Sequence, residues 1–236
     1  MRLRDHRGHE LACEWSVLDR DSVLASTPWR RVRHARGQRH HPGWFFSGKT
    51  GRLLMYESRL ELMQLLELEF DRDVEEVREQ PFHLSLLSAR GQRVRRHIPD
   101  FFVACRHGQD RLINVKPPGW QLKEKVRRLF EDVDGLCAGK GWAYDTWSGG
   151  NRNRLLNLQW LAGYRRRDVV PATDDDLALV ASAARALGEA TVEAVEGASR
   201  AAGVQHPRPA LMHLMWNQVV RVDLDQPLQP TSEVSA

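Results

Sequence analysis

The feature that most constrains this chain is the order of its apolar patterns: one helical stripe, three short extended runs, a second helical stripe and a further extended run. Tyr56, Leu60, Met63, Leu66 and Phe70 recur at helical spacing and predict an amphipathic helix over 57–70, with its apolar stripe turned inward. Residues 82–87 are apolar and run into the turn-forming Ser88-Ala89-Arg90-Gly91-Gln92. The return over 93–103 passes through Pro99 and Asp100, and 112–116 reads as a third strand. After Pro117-Pro118-Gly119, Val126, Leu129, Val133 and Leu136 mark a second helix that stops at Gly139 and Gly141, and 142–147 is again strand-like. Such an order specifies a mixed α/β core in which helices cover a mixed sheet.

The pattern changes character after Arg165-Arg166-Arg167. A helical stretch over 155–164 is expected to close the α/β domain, giving an N-terminal extension over 1–27, a core over 28–167 and a small domain over 168–236. Thr173 followed by Asp174, Asp175 and Asp176 is a helix start, because a threonine caps and carboxylates suit the positive end of the helix dipole. Alanine-rich helix to about residue 202, a second helix over 210–218 and a short strand over 219–224 resemble a winged helix.

Three dispersed pieces carry the chemistry. They are Ser58-Arg59-Leu60-Glu61 on the helix, Ile98-Pro99-Asp100, and Ile113-Asn114-Val115-Lys116-Pro117. Two carboxylates near a lysine suit a site that holds a divalent ion against a phosphate, with the ammonium offsetting charge that develops in the transition state. The pattern therefore points to phosphodiester hydrolysis. Glu61, Asp100 and Lys116 are the candidate catalytic residues. Glu57, one turn earlier, could stand in for Glu61.

The formal charge of +4 conceals an asymmetry, since 172–236 holds nine acidic and four basic residues, and the preceding chain has 31 basic against 22 acidic. Arg30, Arg31, Arg33, Arg36, Arg39, Lys49 and Arg52 lie within 28–55 with no acid among them, interleaved with Trp29, Trp44, Phe45, Phe46 and three histidines. That segment is expected to face a polyanion, DNA in this context. The acidic balance of the C-terminal part favours a protein partner there. Cys13, Cys105 and Cys137 are too few and too scattered for a disulfide framework. His6, His9 and Cys13 have spacings that suit zinc on a helix face, without a convincing fourth ligand nearby. No apolar run is long enough to span a membrane, and a cytoplasmic protein is expected.

Five segments together carry a family resemblance: Lys49-Thr50-Gly51-Arg52, Ser58-Arg59-Leu60-Glu61-Leu62, Glu79-Gln80-Pro81, Pro99-Asp100-Phe101 and Asn114-Val115-Lys116-Pro117. In order and spacing, over roughly 28–166, the chain resembles the TnsA family of endonuclease subunits of heteromeric transposases. The resemblance implies a restriction-endonuclease-like PD-(D/E)xK fold whose helix carboxylate is Glu61, whose central aspartate is Asp100 and whose lysine is Lys116. It implies Mg²⁺, with Mn²⁺ as substitute, held by Asp100, Asn114, Glu61 and the Val115 carbonyl. Asn114 stands where restriction-type enzymes carry an acid, and an amide oxygen coordinates without adding charge. Implied partners are DNA at transposon ends, a TnsB-like DDE-type transposase and, through the C-terminal domain, a TnsC-like AAA+ regulator. A standalone restriction or repair nuclease and a catalytically decayed DNA-binding or assembly module of the same fold are the competing readings.

Overall fold

A computed structural model describes residues 1–30, 41–87, 93–119 and 123–236, with Arg93 and Val94 described through their backbone. Arg31, Arg33, Arg36 and Arg39 and the turn expected over 88–92 lie outside the described residues. The chain divides into two compact units, Met1–Gly149 and Gly150–Ala236.

The first unit opens with a hairpin of β1 (Arg2–Arg4) and β2 (Glu10–Ala12), followed by α1 (Arg20–Leu24). The Asp5 carboxylate closes the hairpin turn by accepting the amides of Arg7 at 2.9 Å and His9 at 2.8 Å. A second hairpin, β3 (Gly43–Ser47) and β4 (Arg52–Tyr56), leads to α2 (Arg59–Phe70). Then come β5 (Val74–Glu79), β6 (Leu84–Leu87), β7 (Arg93–His97), β8 (Phe101–Cys105), β9 (Arg111–Val115), α3 (Glu124–Ala138) and β10 (Ala143–Trp147).

The central sheet has the order β10-β9-β8-β5. Strands β5, β8 and β9 are antiparallel neighbours, and β10 joins β9 in parallel after the α3 crossover. Because side chains alternate across a strand, Phe102, Ala104 and Leu112 share the face that packs with Val133 and Cys137 of α3 and with Trp142. Helix α2 packs against β3, β4, β5 and β9. The expected return strand over 93–103 is two strands in separate sheets, since among the described residues β7 pairs with β6 alone while β8 enters the central sheet. Pro99, which has no amide to donate, lies at the break.

Strand β5 escapes the sequence reading because it is charged, with the sequence Val-Glu-Glu-Val-Arg-Glu. Its charges are met by neighbours: Glu75 pairs with Arg20 at 2.5 Å, Arg78 pairs with Glu76 at 2.6 Å, and the Arg78 Nε donates to the Leu24 carbonyl. Residues 1–27 are likewise no extension. Leu3, Leu18 and Val23 belong to the same buried cluster as Phe102 and Leu112, and Trp15 donates from its indole nitrogen to the Leu136 carbonyl at 3.0 Å. Burying each such aliphatic side chain contributes roughly 1.5–3 kcal/mol, so the N-terminal segment is part of the core.

The second unit contains α4 (Arg152–Leu161), two 3-10 turns (Ala162–Tyr164 and Arg167–Val169), α5 (Asp174–Leu187), β11 (Ala190–Thr191), α6 (Val192–Ala201), α7 (Pro207–Trp216), β12 (Arg221–Val222) and β13 (Glu233–Ser235). The small sheet has the order β11-β13-β12. Thr173 caps α5 in a full capping box with Asp176. The boundary lies earlier than the expected 167/168. Helix α4 packs on α7, and its Asn157 amide donates to the carbonyls of Leu224 at 2.8 Å and Gln226 at 2.7 Å. Buried amide bonds of this kind hold α4 to the C-terminal chain of its own unit. No helix among the described residues is long and apolar enough to cross a membrane.

Candidate active site

The ends of β8 and β9 bring the expected residues together. Asp100 directly precedes β8, and its backbone is held on both sides: its amide donates to the Ile113 carbonyl at 3.1 Å and its carbonyl accepts the Gln80 amide at 2.9 Å. One carboxylate oxygen, Oδ2, accepts the Val115 amide at 2.7 Å and the Lys116 ammonium at 2.9 Å. Lys116 Nζ also donates to the Val115 carbonyl at 3.0 Å, and the Lys116 amide is held by the Trp147 carbonyl of β10 at 2.9 Å. The lysine side chain keeps 26% of its surface exposed and the aspartate 11%, so the pair is partly open to solvent.

Glu61 arrives from α2. Ser58 caps that helix, accepting the Glu61 amide at 3.2 Å, and the Glu61 carboxylate turns back to accept the Glu57 amide at 2.7 Å and the Ser58 hydroxyl at 3.0 Å. The reciprocal cap fixes the carboxylate at the start of the helix, as in a capping box. Burial pushes the Glu61 carboxyl up to about 7, the neighbouring Asp100 charge pushes the same way, and the two hydrogen bonds oppose both. Glu57 is not a helical neighbour of Glu61, since it precedes the cap; its side chain pairs with Arg30 at 2.8 Å. The structure therefore separates the two glutamates, one buried near Asp100 and one on a surface ion pair.

Asn114 is completely buried. Its Nδ2 donates to the Tyr144 hydroxyl and lies 3.0 Å from His97 Nε2, while its Oδ1 is buried with no hydrogen-bond partner among the described residues. Burial, reinforced by Lys116 and Arg30, pulls the His97 imidazole down to about 4, so it is neutral at physiological pH. Sequence reading missed both His97 and Tyr144, because neither lies near Asn114 in the chain and only the β7 and β10 placements bring them to it.

Glu61, Asp100, the Asn114 amide oxygen and the Val115 carbonyl are the oxygen donors that could hold a hard divalent cation such as Mg²⁺. The Asn114 oxygen without a partner and a buried carboxyl raised beside a second one are features that a bound cation would satisfy. Among the described residues no group of three or more His, Cys, Asp and Glu side chains converges as a metal site, so the set depends on the amide and the carbonyl. The zinc spacing of His6, His9 and Cys13 likewise forms no such group.

The basic set fares unevenly. Arg30 stands near the site, held through its amide by the Gln80 side-chain oxygen at 3.0 Å. Arg52 lies 3.8 Å from Glu76 on the surface. Lys49 is engaged within the fold: its ammonium donates to the carbonyls of Asp71 and, at 2.8 Å, Val74, and burial lowers its pKa. The turn carrying Lys49 is also gripped by Glu69, which accepts the Ser47 hydroxyl at 2.8 Å and the Gly48 amide at 2.6 Å. Lys49 thus clasps the end of α2.

Residues 71–146 match the family model of the TnsA-like endonuclease N-terminal domain, and no curated protein matches the chain. Gln80, Asp100, Asn114, Val115 and Lys116 fall inside the matched segment, whereas Glu61 precedes it.

Proposed function

Starting from a chain that is TnsA-like over residues 71–146, we propose that it is the metal-dependent endonuclease subunit of a heteromeric transposase, hydrolysing a phosphodiester on the non-transferred strand at transposon ends. The observation that carries this reading is the shared grip of Asp100 on the Val115 amide and the Lys116 ammonium, with Glu61 and Asn114 buried alongside. The element order α2-β5-β8-β9-α3-β10 around one mixed sheet supports a restriction-endonuclease-like PD-(D/E)xK core.

A divalent cation bound there supplies charge against the scissile phosphate and lowers the pKa of water. Asp100, Glu61, Asn114 Oδ1 and the Val115 carbonyl are the groups that would hold it. Lys116, on a rigid strand end with one face open, presents a positive charge to the phosphoryl oxygens as they gain charge in the transition state. The Asp100 carboxylate, 2.9 Å away, keeps that ammonium aimed.

The order α5-β11-α6-α7-β12-β13 with the sheet β11-β13-β12 supports a winged-helix-like second unit. In it α7 is covered by α4, α5 and α6, with Ala210, Leu211, Met212, His213, Leu214, Met215 and Trp216 all buried. A helix so enclosed has no open face to read a DNA groove. That favours a protein partner for this unit, a TnsC-like AAA+ regulator, while a TnsB-like DDE transposase joins the other strand.

The test is strand-specific cleavage of labelled transposon-end DNA in Mg²⁺ by wild type and Asp100→Ala, with and without the neighbouring transposase. Partner-dependent nicking that disappears in the variant supports the reading. Robust cutting by the protein alone marks a standalone nuclease, and DNA binding without cutting in any combination marks a decayed assembly module.

A further inference from the structure

A cavity of about 480 Å³ opens beside the candidate site, and three arginines from three separate segments line it: Arg2 of β1, Arg30 and Arg96 of β7. His97, another lining residue, reaches the Asn114 amide, so the cavity adjoins the catalytic strand ends. We infer that this cavity is an anion subsite for a phosphate of the DNA strand flanking the bond to be cut, and that Gln80 is the residue that positions Arg30 in it. The inference rests on the nuclease reading and deepens it, because it assigns part of the substrate cleft to residues 1–30, which lie outside the segment matched by the family.

The charge balance of the cavity favours an anion. Among the described residues its one lining carboxylate, Glu10, is shared between Arg2 at 3.4 Å and Arg4 at 3.0 Å, on the exposed side of the hairpin. Arg30 pairs with Glu57 at 2.8 Å, also at the surface. Exposed ion pairs are weak and exchange readily for a bidentate phosphate contact. Arg96 is exposed and makes no ion pair with a described residue. Trp29 is not a free stacking platform, since His83 stacks on it at 5.3 Å and the Arg4 guanidinium lies 4.5 Å from its ring centre. It forms wall.

That wall is assembled by two specific backbone links. Arg2 and His83 exchange amide bonds of 2.9 Å in each direction, which attaches β1 to the chain entering β6. Gln80 does the rest. It is a non-glycine residue at φ 43°, a conformation that persists only where its surroundings enforce it. Its carbonyl accepts the Trp29 amide at 2.9 Å, its side-chain oxygen accepts the Arg30 amide at 3.0 Å, and its own amide donates to Asp100 at 2.9 Å. One residue thus fixes Arg30 and Asp100 relative to each other.

The experiment is fluorescence anisotropy of a labelled DNA duplex without divalent metal, across a series of NaCl concentrations. It compares wild type with Arg2→Ala, Arg96→Ala, the double variant and Gln80→Gly, which keeps the positive φ while removing the amide. Each arginine removed should lower the slope of log affinity against log salt by about one, and Gln80→Gly should lower it without a matching loss of melting temperature. Arg185→Ala, on α5, should leave the slope at the wild-type value. Wild-type slopes in the cavity variants, or an equal fall in Arg185→Ala, overturn the subsite while the nuclease reading stands. Wild type that binds no duplex at any salt also overturns the subsite, while the nuclease reading stands or falls on the partner-dependent cleavage assay.

Discussion

Lys116 Nζ lies 2.9 Å from Asp100 Oδ2 and 3.0 Å from the Val115 carbonyl, so the ammonium is held by two of the oxygens assigned to a cation. The same Asp100 oxygen accepts the Val115 amide. The carboxylate therefore has a structural task, registering β8 against β9, beside the chemical one proposed for it.

That double role predicts different outcomes for two substitutions. Asp100→Asn keeps an oxygen for the Val115 amide and should fold with a melting temperature near wild type, yet lose at least about a hundredfold in cleavage rate, in line with removal of a key charge-stabilising group. Asp100→Ala should lose cleavage and also about 1–3 kcal/mol of stability from the buried donor left unpaired. Thermal melting and a cleavage assay on both variants check this, and an active Asp100→Asn would exclude the aspartate from catalysis.

Glu61 should make the metal-free protein sensitive to alkaline pH. Its folded pKa, about 7, lies above the ordinary value of 4.5, so the folded state binds the proton more tightly. Its stabilising effect is then complete below pH 4.5 and lost as pH rises through 7. Glu61→Gln should be more stable than wild type at pH 8, by at most about 3 kcal/mol, with no gain at pH 4. Chemical denaturation at the two pH values in EDTA measures it, and equal effects at both would mean that Glu61 ionises normally.

Asn114→Asp adds a charge to the donor set. Calorimetric titration with Mg²⁺ or Mn²⁺ should show affinity at least about tenfold tighter, because ligand charge count tunes cation affinity. The metal-free variant should melt lower, since it buries a carboxylate with no added partner. Unchanged titration curves would remove Asn114 from the ligand set.

Lys49→Met should destabilise the first unit by about 1.5–3 kcal/mol through loss of charged hydrogen bonds to two carbonyls. It should leave the salt dependence of DNA binding as in wild type. A lowered salt slope with unchanged stability would return Lys49 to the DNA-contacting set.

Much of this protein is legible in its sequence because local patterns carry it. The stripe from Leu60 to Phe70, the Thr173 cap and the strand preceding Lys116 follow from periodicity and from a side chain that bonds its own backbone. The order of Glu61, Asp100 and Lys116 along the chain points to phosphodiester hydrolysis, the reaction proposed for the site. Tertiary structure alone decided the rest. Strand β5 reads as a polar segment until Arg20 and the Leu24 carbonyl neutralise its charges, and residues 1–27 read as an appendage until Leu3 and Val23 pack beneath the sheet. Lys49 and Arg30 have the same charge and similar surroundings in sequence, yet one is consumed by backbone carbonyls and the other lines a cavity. Local pattern governs what bonds to its own neighbourhood, whereas the fate of a long charged side chain depends on which distant acceptors the fold brings within its reach.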